Sequence, residues 1–179
     1  FDKNTLQSIG NHFLGIMDST ILLEPHALER HAFAITKHEP DILYGDEAII
    51  CKNSKKVLRL NLRPAFNYDQ FLASAYTGLL SMIRVELLSN VVHLRKQLNA
   101  DNLNEYLILC AIETAKTILH IPDILVMRRC DNDKPHRRIE SDLVRDHLKQ
   151  MGYTSASVRK SQNPSINRIN YYKSNKDKI

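Results

Sequence analysis

The stretch Pro135–Asn163, PHRRIESDLVRDHLKQMGYTSASVRKSQN, decides how the C-terminal quarter of the chain is read. Ile139, Leu143, His147/Leu148 and Met151 recur at helical spacing with charged residues on the other face, the pattern of an amphipathic helix. Gly152 follows Met151 directly, where a left-handed residue ends a helix. Thr154 is then placed to cap a second, shorter helix with Val158 inward and Ser155, Arg159 and Lys160 outward.

Helix, glycine turn and capped helix is the plan of a helix-turn-helix unit. Residues 144–163 resemble helix-turn-helix DNA-binding domains: Leu148, Met151 and Val158 occupy the apolar positions around Gly152, and Tyr153 and Thr154 suit the turn. The stretch departs from that pattern at Leu148, where alanine or glycine is usual, and at His147, where an apolar residue is usual. The resemblance implies a second helix lying in the major groove. Ser155, Arg159, Lys160 and Asn163 would then face the groove, with the amide of Thr154 meeting a phosphate at the helix N-terminus. Arg137, Arg138, Arg145, Lys149, Arg168 and Lys173 are the expected phosphate contacts.

Charge agrees with this placement. From Lys134 onward there are eleven Lys/Arg against four Asp/Glu, which leaves fourteen against sixteen of the 25 and 20 for residues 1–133. A near-neutral body with a basic C-terminal quarter is the footprint of a polyanion binder. The competing reading, a protein-interaction or adaptor domain whose basic tail docks on an acidic partner, differs in what it binds.

Working towards the N-terminus, the sequence predicts an α+β protein with a body over 1–130 and a basic module and tail over 131–179. Leu6, Ile9, Phe13 and Ile16/Met17 predict a first helix. Residues 31–63 predict a small antiparallel meander. In it Phe33 and Ile35 alternate, Gly45-Asp46 reads as a hairpin turn, and Leu58, Leu60 and Leu62 face inward with Arg59, Asn61 and Arg63 outward. Residues 68–121 predict a long helical hairpin covering the meander, on apolar positions from Phe71 to Leu94 and a second helix over Leu103–Leu119. Those helices also offer a surface for a homo-oligomer or a protein partner. Ile124–Met127 is a short strand or buried connector, and residues 166–173 a strand or a wing beside the helix pair.

At 179 residues with 43% hydrophobic and 25% charged content, the chain is that of an ordinary globular domain, with no apolar run of the roughly 18 residues a bilayer demands. No secretory signal is read at the start, and Phe1 in place of Met reads as a fragment boundary or processed terminus. Cys51, Cys110 and Cys130 are odd in number and far apart in sequence, which predicts a reducing, intracellular compartment and no disulfide framework.

Enzyme signatures are weak. Asp41, Asp46-Glu47, Lys52 and Lys55 distantly resemble PD-(D/E)xK nucleases, but Ile50 and Asn53 stand where an acidic residue must precede the lysine. Arg129 and His136 fit the loose arginine–histidine spacing of HEPN ribonucleases, yet lie in a polar, turn-rich stretch. His26, His31 and His38 have acidic neighbours but do not share one helical face. No phosphate-cradling or nucleophile-elbow motif is present. The expectation is therefore a binding module with no metal or cofactor, for DNA more than RNA.

Overall fold

The computed structural model describes residues 12–15, 17, 21–54, 56–78, 80–88, 103–130 and 139–171. Its centre is β3 (Ile42–Cys51), nine of whose ten residues are buried. Apart from Asp46 and Glu47, which find buried partners, the run ILYGDEAII is apolar on both faces, as a strand covered on both sides must be. Ile42 and Tyr44 point into one cluster with Phe71, Leu72, Ile108 and Val144, while Leu43 points into another with Ala27, Ala34, Ile121 and Leu125.

Around β3 the order is β1 (Phe13–Gly15), β5 (Ser81–Arg84), β3, β6 (Ile118–Cys130) and β2 (Ile21–Leu23), with β4 (Val57–Asn61) on β3 beside β5. The β3–β6 pair is parallel and the other pairs are antiparallel. On one face lies α1 (Ala27–His38), which buries Ala27, His31 and Ala34. On the other lie α2 (Tyr68–Ser74), α3 (Leu103–Ala111) and α4 (Ser141–Gln150). This mixed sheet between helices replaces the expected meander and helical hairpin.

Each correction has a local cause. Residues 33–36 belong to α1, because burial of Ala27, His31 and Ala34 follows the helical period and outweighs a short alternation. Gly45-Asp46 is no hairpin turn but the middle of β3. There the register slips, and β6 carries Pro122-Asp123 as extra residues opposite Gly45/Asp46 and Leu125 opposite Asp46/Glu47. Pro122 has no N–H to give the ladder, so a bulge is where it fits. The bulged Leu125 lies over Gly45, where a Cβ would come within 2.4 Å of its Cδ1. The expected long first hairpin helix is only α2, followed by β5 and a 3₁₀ turn at Val85–Leu88. The second ends at Ala111, and Ile118 starts β6. Of the expected N-terminal helix, residues 13–15 are a strand and most of the rest lies outside the described residues.

β4 departs from the expected facing at its leucines, at Asn61 and at the following Arg63, while Arg59 is exposed as expected. Leu58, Leu60 and Leu62 are 44%, 50% and 68% exposed, while Arg63 is buried and Asn61 reaches inward. Two acids on β3 attract them. Asp46 accepts the Arg63 amide at 2.7 Å and lies 2.8 Å from His120 Nε2. Glu47 Oε1 receives Asn61 Nδ2 and sits 2.8 Å from Arg63 Nη2. Tyr44 stacks on His120 and donates to the Pro64 carbonyl at 2.7 Å. Burying an unpaired carboxylate costs far more than exposing leucines, so Asn61 and Arg63 go inward.

Candidate nucleic-acid interface

α4 forms as expected: Leu143, Val144, His147 and Leu148 are buried on one face, with Asp142 in the first turn and Lys149 in the last, matching the helix dipole. It ends in a Schellman arrangement. Tyr153 N donates to Leu148 O at 2.8 Å and Gly152 N to Lys149 O at 3.0 Å, with Gly152 at φ +91°. The glycine stop was legible in the sequence.

No second helix follows. Ala156 N closes a turn on Tyr153 O, and the chain enters β7 (Ser157–Lys160), which pairs antiparallel with β8 (Asn167–Asn170). The segment after Thr154 is too short to sustain an isolated helix before Pro164 halts it, whereas a hairpin satisfies the same backbone groups across strands. Val158 and its register partner Ile169 face the core. The helix-turn-helix arrangement is therefore replaced by a helix and a two-stranded ribbon. β8 is the strand expected within residues 166–173.

Several contacts hold this unit to the body. Asn167 is buried and donates through Nδ2 to Ile139 O at 2.9 Å and Leu72 O at 3.4 Å, and it receives the Ser141 hydroxyl. Tyr171 donates to Asp69 at 2.8 Å. His147, buried on α4, has Nδ1 2.9 Å from Glu113 Oε1 and Nε2 2.8 Å from the Tyr68 hydroxyl. Burial pushes the Tyr68 phenol up to about 12. The ribbon is thus a fixed platform.

The expected contact residues divide into groups. Arg159 and Arg168 are register partners on the outward face of the ribbon, both exposed, with Lys160 next to Arg159. A cleft of about 560 Å³ runs between the start of α4 and β7, lined by Glu140, Ser141, Asp142, Arg145, Val158, Arg159 and Lys160. Arg145 pairs there with Asp142 and reaches Val158 O at 3.4 Å, so its charge is partly answered within the chain. The cleft's acidic residues leave the ribbon side as its cationic wall. Lys149 lies 3.8 Å from Asp146 on the exposed face of α4. Thr154 and Ser155 are exposed in the turn, and no helix begins at Thr154 to meet a phosphate. Asn163 sits at the hairpin tip and accepts the Ser165 amide at 2.9 Å, a turn-forming role. Arg137, Arg138 and Lys173 lie outside the described residues. Sequence reasoning missed the pairing of Arg159 with Arg168; the signal for it was the alternation in SVRK and NRIN.

The residues weighed for catalysis disperse. Asp41 is tied to the amides of Lys116 and Thr117 and to Arg84, while Asp46 and Glu47 are paired inside. His26 faces Asp123 at 3.6 Å, and His31 is buried against Ala27 O. Arg129 lies on β6, and His136 outside the described residues.

No family model matches this chain, and no curated protein matches it. Among solved structures it is similar to TarS 1-349 of S. aureus, with a TM-score of 0.51 at 15% identity. The match covers 71% of this chain, which spans 38% of that one. At that identity the likeness is one of fold, a curled mixed sheet flanked by helices. Among the described residues no helix is long and apolar enough to cross a membrane.

Proposed function

We propose that this chain is a nucleic-acid-binding module, non-enzymatic and part of a larger protein or assembly, which grips duplex DNA through the outward face of the β7–β8 ribbon. The facing of Arg159 by Arg168 carries the reading. Like charges directly opposite on a ribbon are destabilising by roughly 0.2–1 kcal/mol. A phosphate between them turns that repulsion into charge-assisted hydrogen bonds. Lys160, exposed and paired in register with Asn167 on the other face, adds charge to the same strand, and Arg145 lines the cleft with it. A two-stranded ribbon fits the B-form major groove, whereas the A-form RNA groove is too narrow for side chains to read, which favours DNA.

The test is a titration of duplex DNA between 50 and 200 mM salt. Each phosphate neutralised contributes about 0.9 to the slope of log affinity against log salt, so Arg159→Ala/Arg168→Ala, which removes the one shared phosphate contact, is expected to lower the slope by about 0.9. The same variant is expected to fold at least as stably as the parent, because the cross-strand repulsion is gone. An unchanged slope and affinity in a folded variant would remove the ribbon from the interface.

A further inference from the structure

The sequence separates its cysteines, but the sheet brings two of them together. Cys51 ends β3 and Cys130 ends β6, and the two residues are register partners on these neighbouring parallel strands. Neighbouring strands lie about 4.8 Å apart, inside the roughly 4.4–6.8 Å window of Cα separations that a disulfide bridges. Register partners also share a face of a sheet, because side chains alternate with a period of two. Cys51 is half-buried, and its amide donates to Lys56 O at 2.9 Å, which fixes the end of β3. Within two residues of either cysteine the sequence holds Lys52, Arg128 and Arg129 against Asp131 alone. Arg128 stands two residues before Cys130, the spacing of one strand face. Its Nε and Nη2 are buried with no hydrogen-bond partner among the described residues. A guanidinium so placed favours thiolate over thiol.

We propose that Cys51 and Cys130 are a modification site, a dithiol that hydrogen peroxide converts reversibly to a disulfide closing the ends of β3 and β6. The Cys130 thiolate attacks one peroxide oxygen. The O–O bond breaks, and hydroxide leaves as water with the proton released from that thiol. The Cys51 thiolate then attacks the sulfenic sulfur, the S–O bond breaks, and a second water departs with the Cys51 proton. Two thiols have given two electrons to one peroxide, and no other reactant is needed. The strand spacing exceeds the roughly 3.5–4.5 Å between Cβ atoms of a relaxed bridge. The bond is therefore strained, and two small-molecule thiols reduce it by becoming a disulfide themselves. The inference does not rest on the ribbon.

The experiment treats the full reduced chain with one equivalent of hydrogen peroxide, blocks the remaining thiols with N-ethylmaleimide and maps tryptic peptides by mass spectrometry. Peptides 38–52 and 130–137 should appear joined in the monomer band of a non-reducing gel, with Cys110 alkylated, and dithiothreitol should restore both thiols. Cys51→Ser should leave a sulfenic acid on Cys130 that dimedone captures. Arg128→Leu should raise the pH midpoint of Cys130 alkylation and slow bridge formation at least roughly threefold, and Arg128→Lys should restore both. Lost packing alone would not be rescued by the lysine. A bridge found only between two molecules, a bridge to Cys110 in comparable yield, or peptides that stay unlinked at ten equivalents would overturn the proposal. An unmoved midpoint in Arg128→Leu would overturn the part given to the guanidinium.

Discussion

Neutralising Glu47 tests the core of the fold most directly. Glu47 and Arg63 have side chains 1% and 5% exposed, 2.8 Å apart. Burial lowers the Arg63 pKa, and Glu47 first and Asp46 next push it back up. Glu47→Gln keeps the shape and the Asn61 contact but leaves the guanidinium with Asp46 as its remaining carboxylate. Removing one partner of a buried pair costs about 3–5 kcal/mol, and the residual attraction of Asp46 places this case near about 3 kcal/mol. Arg63→Met alone strands the carboxylate and should cost about as much. The double Glu47→Gln/Arg63→Met buries no unpaired charge and keeps the Asn61 contact, and its cost is chiefly the side-chain amide nitrogen left without a partner at position 47, about 1–2 kcal/mol. The double should therefore fall about 4 kcal/mol below the sum of the singles, a coupling that only contacting groups show. Urea unfolding followed by circular dichroism reads this. At a slope of about 2 kcal/mol/M, each single variant lowers the midpoint by about 1.5 M. Single variants that move it by less than about 0.5 M, or a double equal to their sum, would refute the claim that these charges set the facing of β4.

Further outcomes follow from other sites. Burial pushes the Asp41 carboxyl up, but the amides of Lys116 and Thr117 together with Arg84 bring it below its ordinary value. Its contribution is therefore present above pH ~4 and lost as pH falls through the folded value, so Asp41→Asn should cost about 1–2 kcal/mol at pH 7 and flatten the acid limb of the stability curve. Burial lowers the imidazoles of His31 and His147, countered in part by the Ala27 carbonyl and by Glu113 respectively. Both are neutral in the fold, so stability is full above pH ~6.5 and declines as pH drops below it; a His31→Gln/His147→Gln chain with the same slope between pH 5 and 7 would contradict this. Gly45→Ala should destabilise by about 1–3 kcal/mol because its Cβ meets Leu125, and Leu125→Ala should recover part of the loss; thermal melts of the three variants decide it.

Legibility followed sequence range. The end of α4 at Gly152 depends on a handful of adjacent residues, so it could be read directly. The hydrophobic period of β4 was equally plain, yet its facing was not, because Leu58 and Leu60 are apolar whichever way the strand turns. What turned it was Asp46 and Glu47, whose need for partners becomes visible only once β3 is known to be covered on both sides. The same ignorance made Gly45-Asp46 look like a hairpin. At the ribbon, a helix was expected where Val158 and Ile169 instead pair across strands.

By itself the chain determined its α+β character, the amphipathic α4 with its glycine stop, and the gathering of positive charge after Lys134. Those properties live in composition and in contacts within one or two helical turns. Tertiary structure alone decided that β3 would be central, that Cys51 and Cys130 would stand opposite each other, that the leucines of β4 would face outward, and that Arg159 would meet Arg168. Strand pairing joins residues far apart in sequence, and which face is buried depends on what the partner strand brings; no local pattern carries that information.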